Sequence, residues 1–451
     1  AYVDIYSKKT STTSVDDVNG VLMTTISGLD WGQNGVVEVN QSSDFLALFG
    51  VTIDAPALLG LKQVLLNART AYVYNFNGGT ASTGTLTILP WSFTAKHPGQ
   101  TGNTISVSIA PDPSKAGRFI VKTLLATQVV NVQTVATASE LVANSYIIPT
   151  VKSDDVNDNG ASKLAELVTG VTVTMAGGTT DTVGSLDDFI MAAETYEYNT
   201  IVAPMSDNEA GIHTLLASTA IRLRDNQGRK VQAVIPAIEG YDPDHEGVIV
   251  IANGVKMATG QVYDTSIMAG WFAGVTAAAA INRSLTYKTV PGGVDVVPRL
   301  NEEAQISAVQ SGQLVFDASR NLVRVLVDIN TLHTFTNTKG NEFSKNRVLR
   351  VLDAIANNTR ETWEDNFIGQ VTNNATGRDL FKANRAEYLA QLQAQGAVEN
   401  FITDDIIVSQ GNNKDSVVVS INVQPTDAME RLYMTVYVNC LLYTSDAADD
   451  S

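Results

Sequence analysis

Apolar and polar positions change rhythm three times along this chain. Up to residue 93, short strand-like runs at 20–26, 36–39 and 71–74 flank one helical stretch. That stretch, 55–68, carries Leu58, Leu61, Leu65 and Leu66 at near-helical spacing behind Pro56, which a first helical turn tolerates because the missing amide would have no partner there. Between about 84 and 183 the text turns β-rich, with strands predicted at 85–89, 105–109, 118–123, 128–135, 146–148 and 170–175. Short strands with Pro, Gly and Asn punctuation at this spacing predict a small β-sandwich or barrel.

From residue 185 helices and strands alternate. Helices are predicted at 189–197, 208–225 and 268–281, and buried strands at 200–203, 231–235 and 248–253. Strands written as unbroken Val/Ile runs between helices indicate a sheet covered on both faces. The last block opens with a helix at 343–367, where Val348, Val351, Leu352, Ile355 and Trp363 share one face behind Ser344 as N-cap. A second helix, 378–395, stops at Gly396, and strands at 416–423 and 432–438 close the block.

Composition narrows the function. The 451 residues hold 30 Lys+Arg against 47 Asp+Glu, a net charge of −17, which argues against a general binder of nucleic acid or anionic membrane. Charged residues are 17% of the chain, against roughly 25% in an ordinary globular protein. With 44% hydrophobic residues, disorder is excluded as the main state. A surface this poor in charge is weakly defended against self-association and suits packing against copies of itself. The longest apolar stretch, 268–281, is short of the ~20 residues that cross a bilayer. The start, Ala1-Tyr2-Val3-Asp4, alternates like a strand and lacks the pattern of a signal peptide. The single cysteine, Cys440, provides neither a disulfide framework nor a structural zinc site. It opens a string, 440–451, that resembles a translated sequencing adapter and is left out of fold reasoning.

Catalytic motifs are missing: no H-E-x-x-H, P-loop, G-x-S-x-G or G-x-G-x-x-G occurs, and His97, His213, His245 and His333 lie far apart. No catalytic residue and no cofactor is assigned. One metal pattern fits in spacing: Asp155, Asn157 and Asn159, with Gly160 and Glu166, match a calcium loop. Its flanks read as a strand containing Pro149 rather than a helix, so an Asp/Asn-rich surface turn is the preferred reading. Basic residues cluster in the last block, Lys345, Arg347, Arg350 and Arg360 on one helix and Arg378, Lys382 and Arg385 on the next, as a solvated face or a surface for an acidic partner.

The closing strand is more informative. Tyr433, Thr435 and Tyr437 alternate with Met434, Val436 and Val438, so both faces are apolar, and left exposed such a segment is an aggregation edge. Either it is a central strand of its own domain or it is donated to a neighbour's sheet.

At this point the residues resemble a family, the contractile tail sheath proteins of bacteriophages, in the defective-prophage version of Gram-positive hosts. The resemblance spans 1–439 and rests on Ala95-Lys96-His97-Pro98-Gly99-Gln100-Thr101-Gly102-Asn103, Gly177-Gly178-Thr179, the string WFAGVTAAAAINRSLTY at 271–287, Asp328-Ile329-Asn330-Thr331-Leu332, Phe343-Ser344-Lys345-Asn346-Arg347, and QPTDAMERLY at 424–433. It implies an α/β and α+β multidomain fold: a subtilisin-like α/β layer domain without hydrolase machinery, an inserted β-sandwich and a C-terminal α+β domain. Laid on this chain, that gives an N-terminal arm remnant at 1–18, an α/β region at 19–93, the sandwich at 94–183, the subtilisin-like domain at 184–335, and the C-terminal domain at 336–439. The resemblance further implies a non-enzymatic subunit of stacked six-membered rings wound around a tail tube, contracting to drive that tube through a host envelope. Its partners would be itself, the tube, and the baseplate and terminator proteins, with no nucleic acid and no membrane. It would reside in the virion tail after assembly in the host cytoplasm. Subunits would be linked by terminal arms adding strands to neighbours, here Val417, Val419 and Ile421 with Tyr433, Met434, Thr435, Val436, Tyr437 and Val438. Lys345, Arg347, Arg350, Arg378, Lys382 and Arg385 would line the inner surface against the tube, with the sandwich outward. The sheath of a phage-derived contractile injection or secretion system is the alternative.

Overall fold

A computed structural model describes residues 20–23, 29–153, 162–182, 186–204 and 210–437. Seven strands form the central sheet: β1 (Gly20–Met23), β2 (Gly35–Val39), β3 (Thr70–Asn75), β4 (Thr200–Val202), β5 (Gln232–Pro236), β6 (Val248–Ile251) and β7 (Gln313–Leu314). Their order is β7-β6-β5-β4-β1-β3-β2, parallel throughout except for the antiparallel edge strand β2. Regions 19–93 and 184–335, which read apart along the sequence, therefore complete one sheet. Helices α1 (Leu59–Leu65), α2 (Leu186–Thr195), α3 (Ala210–Asn226) and α4 (Thr265–Ala277) cover it. On β5, Val234 faces the core shared with α1 and α4, while Ala233 and Ile235 face the core shared with α2 and α3. Both faces are buried, as the unbroken Val/Ile runs required.

Helix α4 is buried on all sides beyond its first residue and is capped by Asp264, whose carboxylate accepts from the Ile267 amide. Gly274 lets it approach α1 closely, since a Cβ there would collide with the Val64 carbonyl.

The chain leaves the central layer after β3 and returns before α2, and the excursion is the sandwich. One sheet pairs Ile147–Val151, Trp91–Ala95 and Thr83–Thr85, and the other runs Val171–Thr174, Ile105–Pro111, Phe119–Leu125, Gln128–Val135. Trp91, Phe93, Val107, Ile109 and Val121 fill the space between. One sandwich strand thus precedes residue 94 and a second, Trp91–Ala95, runs through it, and the strand expected at 85–89 ends at Thr85. The ribbon Asn77–Thr80 with Thr179–Thr182 joins sandwich to body. Beside it Gly99 has φ +127°, and any Cβ there would meet the Asp30 carbonyl. Asn103 and Gly178 exchange two hydrogen bonds of 2.8 and 2.7 Å. The first two signature segments therefore build this joint.

The C-terminal domain holds α5 (Asn346–Asn366), α6 (Ala375–Ala394) and a hairpin of β8 (Ile406–Gln410) and β9 (Val417–Ile421). Val351, Ile355, Tyr388, Leu392 and Ile406 make its core. Ser344 does not cap α5: it sits in a short 3-10 turn, where its hydroxyl donates to the Asn341 carbonyl. The strand expected at 432–438 does not form, since 426–437 pair with no strand among the described residues, and Val438 lies outside them. Among the described residues the segment is therefore not a central strand of its own domain.

Candidate assembly site

The last described residues are held and then released. Gln424–Pro425 pairs with Val398–Glu399, and the Thr426 amide donates to the Ala397 carbonyl. Beyond this, side chains from two distant segments take hold. Arg347 donates from Nε to the Asn282 carbonyl and from a terminal nitrogen to Thr426 Oγ1, both at 3.0 Å. Lys345 Nζ lies 2.7 Å from both Asp427 Oδ2 and Glu430 Oε2. Glu430 Oε1 accepts from Thr286 Oγ1 at 2.7 Å and from Ser284 Oγ at 3.2 Å. Burial works against the Lys345 ammonium, yet the hydrogen bonds and charges of Asp427 and Glu430 outweigh it and hold its pKa above the ordinary lysine value.

A second layer orients the first. Asp328, 2% exposed, accepts from Asn346 Nδ2, the Leu285 amide and Arg350. Asn330 holds the Phe343 carbonyl through Nδ2 and accepts from the Leu332 amide. The segments at 271–287, 328–332, 343–347 and 424–433, scattered along the sequence, thus converge on one anchor for the C-terminal segment.

Past Glu430 no hydrogen bond or ion pair holds the chain among the described residues. Leu432, Tyr433, Met434, Val436 and Tyr437 are 68–88% exposed, an apolar run packed on nothing in its own molecule among the described residues. On β9, the other half of the expected interface, Val417, Val419 and Ile421 are half-buried and Val418 faces solvent. β8 and β9 pair only with each other among the described residues, so the hairpin keeps open edges.

The six basic residues do not form the shared face that their spacing suggested. Lys345, Arg347 and Arg350 are spent on the anchor. Arg385 is 1% exposed, bound to Asn358, Thr359 and Thr362, and burial lowers its pKa to about 10. Arg378 and Lys382 stay half-buried on α6. A charge spacing cannot tell a solvated face from one facing buried carbonyls and carboxylates. For the calcium pattern, Asp155, Asn157 and Asn159 lie outside the described residues, and Glu166 is exposed.

Sequence reading missed one further cluster, since its members are apart in the chain. Asp225, His245 and Glu246 bring one ligand atom each within 4.8 Å of one another. The Gly247 amide donates to His245 Nδ1 at 2.9 Å, so the neutral ring carries its proton on Nε2, aimed at Asp225 Oδ2 (3.2 Å) and Glu246 Oε2 (3.6 Å). Lys339 Nζ sits 2.7 Å from Glu246 Oε1. The ring is a donor between carboxylates, and a metal would have to displace its proton and break the Gly247 bond.

Comparison with known proteins agrees with this anatomy. Residues 77–182 match the phage tail sheath protein β-sandwich domain, 180–331 the phage tail sheath protein central domain, and 338–439 the phage tail sheath C-terminal domain. The chain is 32% identical over 427 residues to the phage-like element PBSX protein XkdK of Bacillus subtilis, covering 91% of each. Crystal structures of a sheath tail protein from Listeria innocua (31% identity, TM-score 0.78, 93% of this chain and 95% of that one) and of one from Desulfitobacterium hafniense (31%, 0.75, 98% and 100%) share its fold.

Proposed function

Because this chain belongs to the phage tail sheath family, in its defective-prophage type, we propose that it polymerises by donating its C-terminal segment to a neighbouring copy. It is a contractile sheath subunit, and its role is structural. The carrying observation is the abrupt change at Glu430: four signature segments fix the chain up to that residue, and the apolar run beyond it has no partner among the described residues. An extended segment with bare main-chain groups gains affinity by adding to a sheet edge, and its alternating side chains supply specificity. Open edges on the β8–β9 hairpin are the complementary feature.

Stacked six-membered rings around a tail tube, joined to a baseplate, are the assembly this linkage serves. The central layer acts in it as a subtilisin-like scaffold that performs no hydrolysis, and the sandwich stands outward on its ribbon. The subunit is a component of a virion tail, assembled in the host cytoplasm. No helix among the described residues is long and apolar enough to cross a membrane.

Negative-stain microscopy and sedimentation of the full chain at high concentration, beside a chain ending at Arg431, test the proposal. Rings or tubes are expected from the former and monomers from the latter. Equal polymerisation of both refutes strand donation.

A further inference from the structure

Packing fastens the β8–β9 hairpin at one end only. Ile406 is buried in the core with Tyr388 and Leu392, and Val408 and Ile421 pack against it. The Asn422 amide closes that end by donating to the Asp405 carbonyl. Toward the turn the support gives way. A cavity of about 600 Å3 opens between turn and helices, floored by Trp363, Phe367 and Phe381 and walled by Lys414, Asp415 and Val417. The turn half of the hairpin therefore stands over open space, where packing contributes little to its tilt.

One side chain props it. Asn373 Nδ2 donates to the Lys414 and Ser416 carbonyls, both at 2.9 Å. Among the described residues no other hydrogen bond or ion pair joins 407–420 to the rest of the molecule. The turn passes that hold on as a unit, because the Gly411 amide donates to the Ser416 carbonyl and Asn413 and Ser416 bond each other through amide and hydroxyl. Asn373 is itself held twice. Arg378 Nη1 donates to its Oδ1 at 2.9 Å, which turns Nδ2 toward the hairpin. Its backbone directly precedes Asn374, the N-cap of α6, and Gly377 lets that first turn close on Thr372, whose carbonyl a Cβ would strike.

We propose that Asn373, oriented by Arg378, is a positioning residue for assembly: it sets the angle at which the β8–β9 hairpin presents its open edges to another copy. The inference rests on the strand-donation reading, in which such an edge is used, and adds what holds the edge in place. A strand joins an edge only where successive main-chain groups line up, so an edge that rocks about its packed end binds more weakly by the ordering it must first undergo.

Asn373→Asp in the full chain removes both donors and keeps the acceptor that Arg378 uses. Hydrogen exchange of 406–421, the melting temperature and sedimentation of the polymer are measured together. Expected are about tenfold faster exchange of the hairpin amides, an unchanged melting temperature, and an about tenfold higher protein concentration needed to polymerise. Arg378→Met, which leaves the Asn373 amide free to turn, is expected to move exchange and polymerisation in the same direction and less far. Unchanged exchange overturns the prop, and faster exchange with unchanged polymerisation overturns its part in assembly. A lowered melting temperature assigns Asn373 a merely structural role and overturns the proposal too. The chain ending at Arg431 keeps the two readings apart: if it fails to polymerise while Asn373→Asp polymerises normally, strand donation stands and the Asn373 assignment alone falls.

Discussion

His213, 1% exposed on α3, has no partner for either ring nitrogen among the described residues, and burial lowers its pKa from 6.5 to about 4. Because the folded state binds its proton less readily than the unfolded one, the stability this residue contributes is complete above the unfolded value. It is lost as pH falls from about 6.5 toward 4, by up to about 3 kcal/mol. His213→Leu is expected to flatten the fall in melting temperature across that window, a comparison calorimetry makes directly. Asp328 is the other single residue on which much depends. Asp328→Ala strands Arg350, Asn346 and the Leu285 amide in a buried site, and a loss of about 3–5 kcal/mol is expected from denaturant unfolding. Asp328→Asn should keep the shape and lose less.

Among elements, α5 joins the two halves of the body. Arg224, 2% exposed on α3, makes two 2.8 Å bonds to Asp353 on α5, and Asn357 exchanges two bonds with the Lys230 backbone. Asp353→Ala should therefore cost roughly 3–5 kcal/mol by leaving that guanidinium buried and uncompensated, read as a shifted urea midpoint. Close contact of α1 with α4 depends on Gly274, and Gly274→Val should destabilise by about 1–3 kcal/mol in the same measurement, through overpacking against the Val64 backbone. The elements themselves were largely legible in the sequence, because burial on one face or both writes a period into the chain: α3, α4, α5, α6 and the Val/Ile strands lie within a few residues of their expected ends. Partners were not legible. Nothing in the order of residues says that β1–β3 join β4–β7 across a hundred-residue sandwich. Periodicity also cannot separate a strand that pairs within its own domain from one that does not, which is why 432–438 stood open to both readings. The anchor at Lys345 was visible only as a basic residue, since its acids lie 82 and 85 positions away.

For the whole molecule, the anchor sets where the free segment departs rather than how well the chain folds. Lys345→Met leaves Asp427 and Glu430 without their cation at a partly exposed site, so a change of about 1 kcal/mol in stability is expected. Polymer formation, followed by light scattering, should fall far more, because the exit direction of residues 431–437 is no longer fixed. An exposed C-terminal segment and an open hairpin edge carried on one chain bear on the symmetry of assembly. Two copies exchanging segments across a twofold axis would satisfy both and stop at a pair, whereas a segment handed on to a third copy leaves one edge open. Such a link is heterologous, and heterologous links close into a circle or climb as a screw. A closed circle would leave no edge open, while in a screw every copy that joins would bring an open edge with it and growth would have a polarity.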